Sequence, residues 1–119
     1  MKRTERFLTN QLIIEGPDLA GKTSFYNRLH KNSGYRWNIQ DRSALSMLIY
    51  ARFYNRDTFV EVERLNTEIK NLNNRYIILL PPWDEVERRY NERGDEIQTI
   101  TSLKKIYRLF DEAAEEFKI

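Results

Sequence analysis

The 119-residue chain contains no cysteine, one histidine, four glycines and three prolines. Without cysteine, neither a disulfide framework nor a thiolate metal site can form, and His30 alone leaves no ligand set for a zinc centre. No segment approaches the roughly 20 consecutive apolar residues that a membrane helix needs. The charged opening MKRTERFLTN has no apolar run behind it and does not read as a secretory signal. An excess of one charge is also missing: 20 basic residues face 18 acidic ones, for a net charge of +2. That balance gives no reason to expect a nucleic-acid or membrane partner. The expectation is a soluble, cytoplasmic protein.

The residues that are present suffice for one core. Hydrophobic types make up 40% of the chain, and fifteen residues are aromatic. The length suits one domain spanning 1–119, and there is no repeat, linker or low-complexity tract to divide it.

Hydrophobic patterning alternates strands with helices. QLIIE (11–15) is a short apolar run ending at a glycine and reads as a buried strand. A helix begins at Gly21, with Phe25 and Leu29 four apart, and ends in KNSG (31–34). YRWNI (35–39) alternates as a strand does. SALSMLIYARFYNR (43–56) is apolar on several sides and reads as a buried helix. Thr58 and Glu61 have capping-box spacing ahead of a helix whose apolar face is Phe59, Val62, Leu65, Ile69 and Leu72. RYIILL (75–80), closed by Pro81-Pro82, is the strongest strand signal. Asp84 and Glu87 suit the start of a helix that runs to about Arg93 and stops at Gly94. A last helix over 101–117 carries Leu103, Ile106, Tyr107, Phe110, Ala114 and Phe117 on one stripe. Trp37 and Trp83 are expected to pack at strand edges, and His30 to be structural. Strands joined by helical crossovers predict an α/β fold with a short parallel sheet of about three strands flanked by helices.

The stretch IIEGPDLAGKTSF (13–25) carries chemistry. Gly16-x-x-x-x-Gly21-Lys22-Thr23 falls between the first strand and the first helix, where phosphate-cradling loops occur. The glycines let backbone N–H groups converge on phosphate oxygens, and the helix N-terminus adds partial positive charge. Lys22 can reach the β- and γ-phosphates, and Thr23 can hold Mg²⁺. The backbone and side chains of Gly16, Asp18, Leu19, Ala20, Gly21, Lys22, Thr23 and Ser24 form the candidate nucleotide-binding loop. A chance match in a chain this long is on the order of one in a few hundred.

The same residues resemble the phosphate loop of thymidylate kinases, whose pattern Glu-Gly-x-Asp-x-x-Gly-Lys-Thr matches at Glu15, Gly16, Asp18, Gly21, Lys22 and Thr23. The resemblance implies the three-layer P-loop NTPase fold, ATP and Mg²⁺ as cofactors, and a compact, phage-like member of the deoxynucleotide kinases. It also implies that Asp18 binds the acceptor's sugar hydroxyl, although an aspartate here also suits a turn. Asp41-Arg42 is similar to the family's Asp-Arg pair, and Ser43 completes the Glu-Arg-Ser version of deoxynucleoside kinases. By this resemblance Arg42 holds phosphate at the transfer point and Asp41 organises Mg²⁺ or its waters. A helix cap and a surface ion pair would look the same.

PPWDEVERRYNERGDEIQ (81–98) is similar to the family's lid, with Arg89, Arg93 and Gly94 on the pattern and the lid region at about 84–98. Arginines placed there can neutralise charge on a migrating phosphoryl group. The pairs Asp84–Arg88, Glu85–Arg89 and Arg88–Glu92 fit a solvated helix equally. After Gly94 the family continues Asp-Arg-x-Glu, whereas this chain has Asp95-Glu96-Ile97-Gln98. Only 17 residues separate Thr23 from Asp41, where the family places a further strand and helices. The chain is therefore expected to cover only part of the family fold.

Among other features, Tyr50, Phe53, Tyr54 and Arg56 can stack on a base and hold a phosphate, or serve the core. The leading expectation is ATP-dependent phosphoryl transfer to a deoxynucleoside monophosphate, with Lys22, Asp41, Arg42, Arg89 and Arg93 catalytic. A non-catalytic nucleotide-binding module is one alternative. A deoxynucleoside kinase is another, and it would want a carboxylate base, Glu15 or Asp41. Sheet edges left open by three strands allow a homodimer.

Overall fold

A computed structural model describes residues 11–34, 37–93 and 99–119. The elements are β1 (Gln11–Glu15), α1 (Lys22–Asn32), β2 (Ile39–Asp41), α2 (Ala44–Phe53), α3 (Phe59–Lys70), β3 (Asn74–Ile78), α4 (Trp83–Arg93) and α5 (Ile100–Glu116). The fold is α/β, with five helices around a three-stranded parallel sheet in the order β2-β1-β3.

The central strand is short and apolar because it is covered on both sides. Ile13 and Ile14 point to opposite faces, and both are at most 1% exposed. Leu12, Ile13 and Ile14 align with Ile39, Gln40 and Asp41 of β2, and Ile14 and Glu15 align with Ile77 and Ile78 of β3. That register brings Asp41 and Arg42 beside the end of β1, and the Arg42 N–H donates to Ile14 O at 2.9 Å.

The larger core is helical. α2 is apolar on several sides and buries Ala44, Leu45, Leu48, Ile49 and Ala51, as expected of a helix with neighbours all round. Against it pack Leu65 of α3 and Ile106, Phe110 and Ala113 of α5. The α5 stripe follows helical spacing, with Ala113 buried where Ala114 was expected, and a two-pronged Arg52–Glu116 ion pair at 2.8 and 3.1 Å joins α2 to α5. Tyr107 of α5 donates to Pro81 O at 2.6 Å, and its ring meets Trp83 edge-on, which anchors the start of α4.

Several local expectations change. The strand read over 35–39 is observed only from Ile39, since β1 offers it three partners; residues 35–36 lie outside those described. Trp37 is 55% exposed rather than packed. The 43–56 helix ends at Phe53, where Asn55 turns to a positive φ of 54°. Thr58 occupies the N-cap of α3, yet its side chain caps nothing; the Phe59 N–H donates instead to Asp57 Oδ1. On α3, Phe59 and, just beyond it, Leu72 are exposed, so only the middle of the apolar stripe meets the core. The end of the lid, from Gly94 to Gln98, lies outside the described residues. Among the described residues no helix is long and apolar enough to cross a membrane.

Phe110 is fully buried and Leu72 is 83% exposed. Urea unfolding is expected to show a loss of about 3–5 kcal/mol for Phe110→Ala, and a change within about 0.5 kcal/mol for Leu72→Ala.

Candidate functional site

The loop between β1 and α1 is shaped by two close approaches. A Cβ on Gly16 would lie 2.7 Å from the carbonyl oxygen of Leu79, so only glycine lets the loop leave β1 beside the chain that follows β3. Gly21 is left-handed at φ 84°, and a Cβ there would lie 3.4 Å from the Arg89 guanidinium. Leu19 is also left-handed, at φ 65°, a conformation uncommon outside glycine. Gly21 occupies the N-cap of α1 with no side chain capping it, and the first turn carries no acidic residue. Such an end keeps its N–H groups and partial positive charge available to an anion.

An open cleft of about 450 Å³ lies over this loop and the start of α1. Asp18, Leu19, Ala20, Gly21, Lys22, Thr23 and Ser24 line it, and Arg89 and Arg93 reach it from α4. The sequence reading missed Arg28 and Phe25, which also line it. Their spacing held a signal, because residues 22, 25 and 28 follow one another at three-residue steps along one helix face. Lys22, Arg28, Arg89 and Arg93 outnumber the single carboxylate of Asp18. The cleft is therefore suited to a polyanion.

The charged groups are already engaged with one another. Lys22 Nζ donates to Asp41 Oδ1 at 2.6 Å, with the lysine side chain only 10% exposed. Arg42, left-handed at φ 69°, donates from Nη2 to Asp18 Oδ1 at 2.9 Å and from Nη1 to Ser46 Oγ at 3.1 Å. Arg89 donates to Leu19 O at 2.8 Å and to Glu85 Oε1 at 3.2 Å. Its guanidinium thus ties α4 to the loop backbone. Arg88 pairs with Glu85 and Glu92 along α4; the Arg88 hydrogen bond holds the Glu85 carboxyl below its ordinary range. Of the pairs expected of a solvated helix, Glu85–Arg89 and Arg88–Glu92 form, and Arg88 takes Glu85 in place of Asp84; Arg89 and Arg93 also line the cleft.

Glu15 does not face the cleft. It is fully buried and accepts from the N–H groups of Ser43 at 2.7 Å and Ser46 at 3.0 Å, and from the Ser46 hydroxyl. A carboxylate thereby caps α2 from the end of β1. Burial raises its pKa, against the lowering effect of the serine hydrogen bonds and Arg42. Ser46, absent from the sequence reading, links Glu15 to Arg42. Ser43 turns its hydroxyl away, to Glu68 at 2.5 Å.

A second cleft, of about 570 Å³, begins at Arg42 and is lined by Ser46, Met47, Tyr50, Arg56 and Glu61. Tyr50 and Arg56 thus stand together as the sequence suggested, with Arg42 5.9 Å from the Tyr50 ring centre. Phe53 instead packs on the core, and Tyr54 is exposed beneath Arg56. The two clefts share no lining residue; the ion pair between Asp18, of the first, and Arg42, of the second, links them.

For a magnesium nucleotide the donor set is sparse but suitable: a threonine hydroxyl in the cleft, and the Asp41 carboxylate at the lysine. Mg²⁺ usually takes one or two protein ligands and completes its shell with phosphate and water. No cluster of three or more metal-ligating side chains occurs among the described residues. No family model, curated protein or solved structure matches the chain.

The raised pKa of Glu15 has a signed consequence. The folded state holds this proton more tightly than the unfolded chain, so ionisation costs stability as pH rises from the unfolded value through the folded one. Urea unfolding across a pH series is expected to show wild type losing stability relative to Glu15→Gln as pH climbs above about 4.5, with the difference levelling once Glu15 is ionised in the fold.

Proposed function

We propose that the chain is a nucleotide phosphotransferase that moves the γ-phosphoryl group of ATP to a deoxynucleoside monophosphate. The observation that carries this reading is the Asp18–Arg42 ion pair, which links the cleft over the loop to a second cleft along α2. A single phosphate-binding loop needs one cleft. Transfer between two nucleotides needs two, with their phosphates converging.

In this reading the triphosphate lies in the 450 Å³ cleft, with its phosphates on the loop N–H groups and Lys22. Thr23 and Asp41 would hold Mg²⁺, which would offset the charge of the phosphates. Arg93 and the loop-bound Arg89 lie where charge on the migrating group can be met. The acceptor lies in the second cleft with its phosphate at Arg42, whose planar fork can hold two oxygens. An acceptor phosphate oxygen attacks the γ-phosphorus as the bond to the β,γ-bridging oxygen breaks, and ADP leaves. That oxygen is already ionised, so alignment and charge neutralisation do the work and no strong base is required.

The placement of Glu15 favours this acceptor over a nucleoside hydroxyl. Glu15 is buried and committed to capping α2, so this candidate base is not presented to a hydroxyl. The sheet order, with the loop leaving the central strand, is what the three-layer P-loop fold would give. A cytoplasmic site of action follows from the use of ATP.

A coupled assay with ATP and each deoxynucleoside monophosphate is expected to show turnover, and Lys22→Ala to lower it by about 10²-fold or more. ATP binding without transfer to any acceptor would support the non-catalytic module instead. Transfer only to nucleosides would support the nucleoside kinase.

A further inference from the structure

We infer that the acceptor site selects guanine, so that the second substrate is a guanine nucleotide; this rests on the phosphotransferase reading of the two clefts. The second cleft is lined by Arg42, Ser43 and Ser46 at the start of α2, by Met47, Tyr50 and Ala51 further along it, and by Arg56 and Glu61 beyond its end. At one end Arg42 abuts the loop through Asp18. Arg56, whose backbone N–H donates to Ala51 O, follows the helix, and Glu61 lies in the first turn of α3. From Ser43 to Ala51 the helix rises about 12 Å, the scale of a mononucleotide lying along it. An acceptor phosphate must lie at the Arg42 end, which the ion pair to Asp18 links to the first cleft, so the base reaches Arg56 and Glu61.

Those two side chains present complementary demands. Arg56 offers a fork of donors, and Glu61 offers two acceptor oxygens. Both line the cleft, and among the described residues they do not form an ion pair with each other. Guanine answers both in full. Its O6 and N7 are adjacent acceptors for an arginine fork, and its N1–H and 2-amino group are adjacent donors for a carboxylate. Thymine offers a carboxylate one N–H flanked by two carbonyl oxygens, which repel it. Adenine and cytosine each offer one amino group beside a ring-nitrogen lone pair, so a carboxylate pairs with them by one oxygen at most. The Tyr50 ring supplies a face on which a purine can stack.

The test is equilibrium titration of the full chain with dGMP, dTMP, dAMP and dCMP, for wild type and Glu61→Gln, with thermal melting to confirm that the variant is folded. dGMP is expected to bind at least about tenfold more tightly than the other three, as a bidentate pair allows. Glu61→Gln is expected to shrink that preference about tenfold while binding an ATP analogue as wild type does. Equal or tighter binding of dTMP, dAMP or dCMP, an unchanged preference in Glu61→Gln, or no binding of any monophosphate would overturn the proposal. Phosphoryl transfer separates this claim from the broader one. Selective dGMP binding with no transfer from ATP would defeat the kinase reading and leave the guanine site standing. Transfer to dTMP but not dGMP would do the reverse.

Discussion

The buried carboxylate of Glu15 holds the two halves of the site together. It ends the central strand and caps the helix that follows the neighbouring strand, so the loop of one unit and the arginine of the next are fixed in one frame. Breaking a buried, hydrogen-bonded carboxylate network of this kind typically costs several kcal/mol. Ser46 extends the frame: its hydroxyl donates to Glu15 and accepts from Arg42, which then reaches Asp18 in the loop. The left-handed backbone of Arg42 is a strained conformation for a long side chain, and such strain persists where surrounding contacts over-determine it.

Around that frame the charges neutralise one another. Lys22 rests on Asp41 and Arg42 on Asp18, so the cationic groups of the site are held in place before any polyanion arrives. A phosphate must compete with these carboxylates, and a divalent cation would relieve Asp41 of its lysine. In the phosphotransferase reading proposed above, nucleotide and metal would therefore reinforce each other's binding, since each would take up the partner that the other displaces.

Much of this could be read from residue order, and the remainder could not for identifiable reasons. The apolar runs at 11–15 and 75–80, the glycine spacing at 16–21 and the periodicity over 59–72 and 101–117 are local signals, and each located its element to within two residues at either end. YRWNI misled because aromatic alternation reports β propensity alone; strand length was set by the partners β1 offers, and these begin at Ile39. Thr58 and Glu61 had the spacing of a cap, but Asp57 lay closer to the first free N–H. Within the site, Lys22, Thr23, Asp18 and Arg42 were legible from the loop and from the pair after β2. Their pairing was not, because Asp18–Arg42 depends on the register of β2 against β1. The role of Ser46 was hidden for the same reason. Glu61 was read as a capping residue, and its place in a cleft depends on α3 folding back along α2.

The central claim is that two nucleotide clefts converge on Asp18 and Arg42. Calorimetric titration with a bisubstrate ligand, two nucleosides joined 5′ to 5′ through a chain of five phosphates, tests it most directly. One molecule is predicted to bind per chain, at least about tenfold more tightly than ATP or a monophosphate alone, because the second contact becomes intramolecular. Binding of two molecules per chain, or affinity no better than that of ATP, would contradict convergence of the clefts.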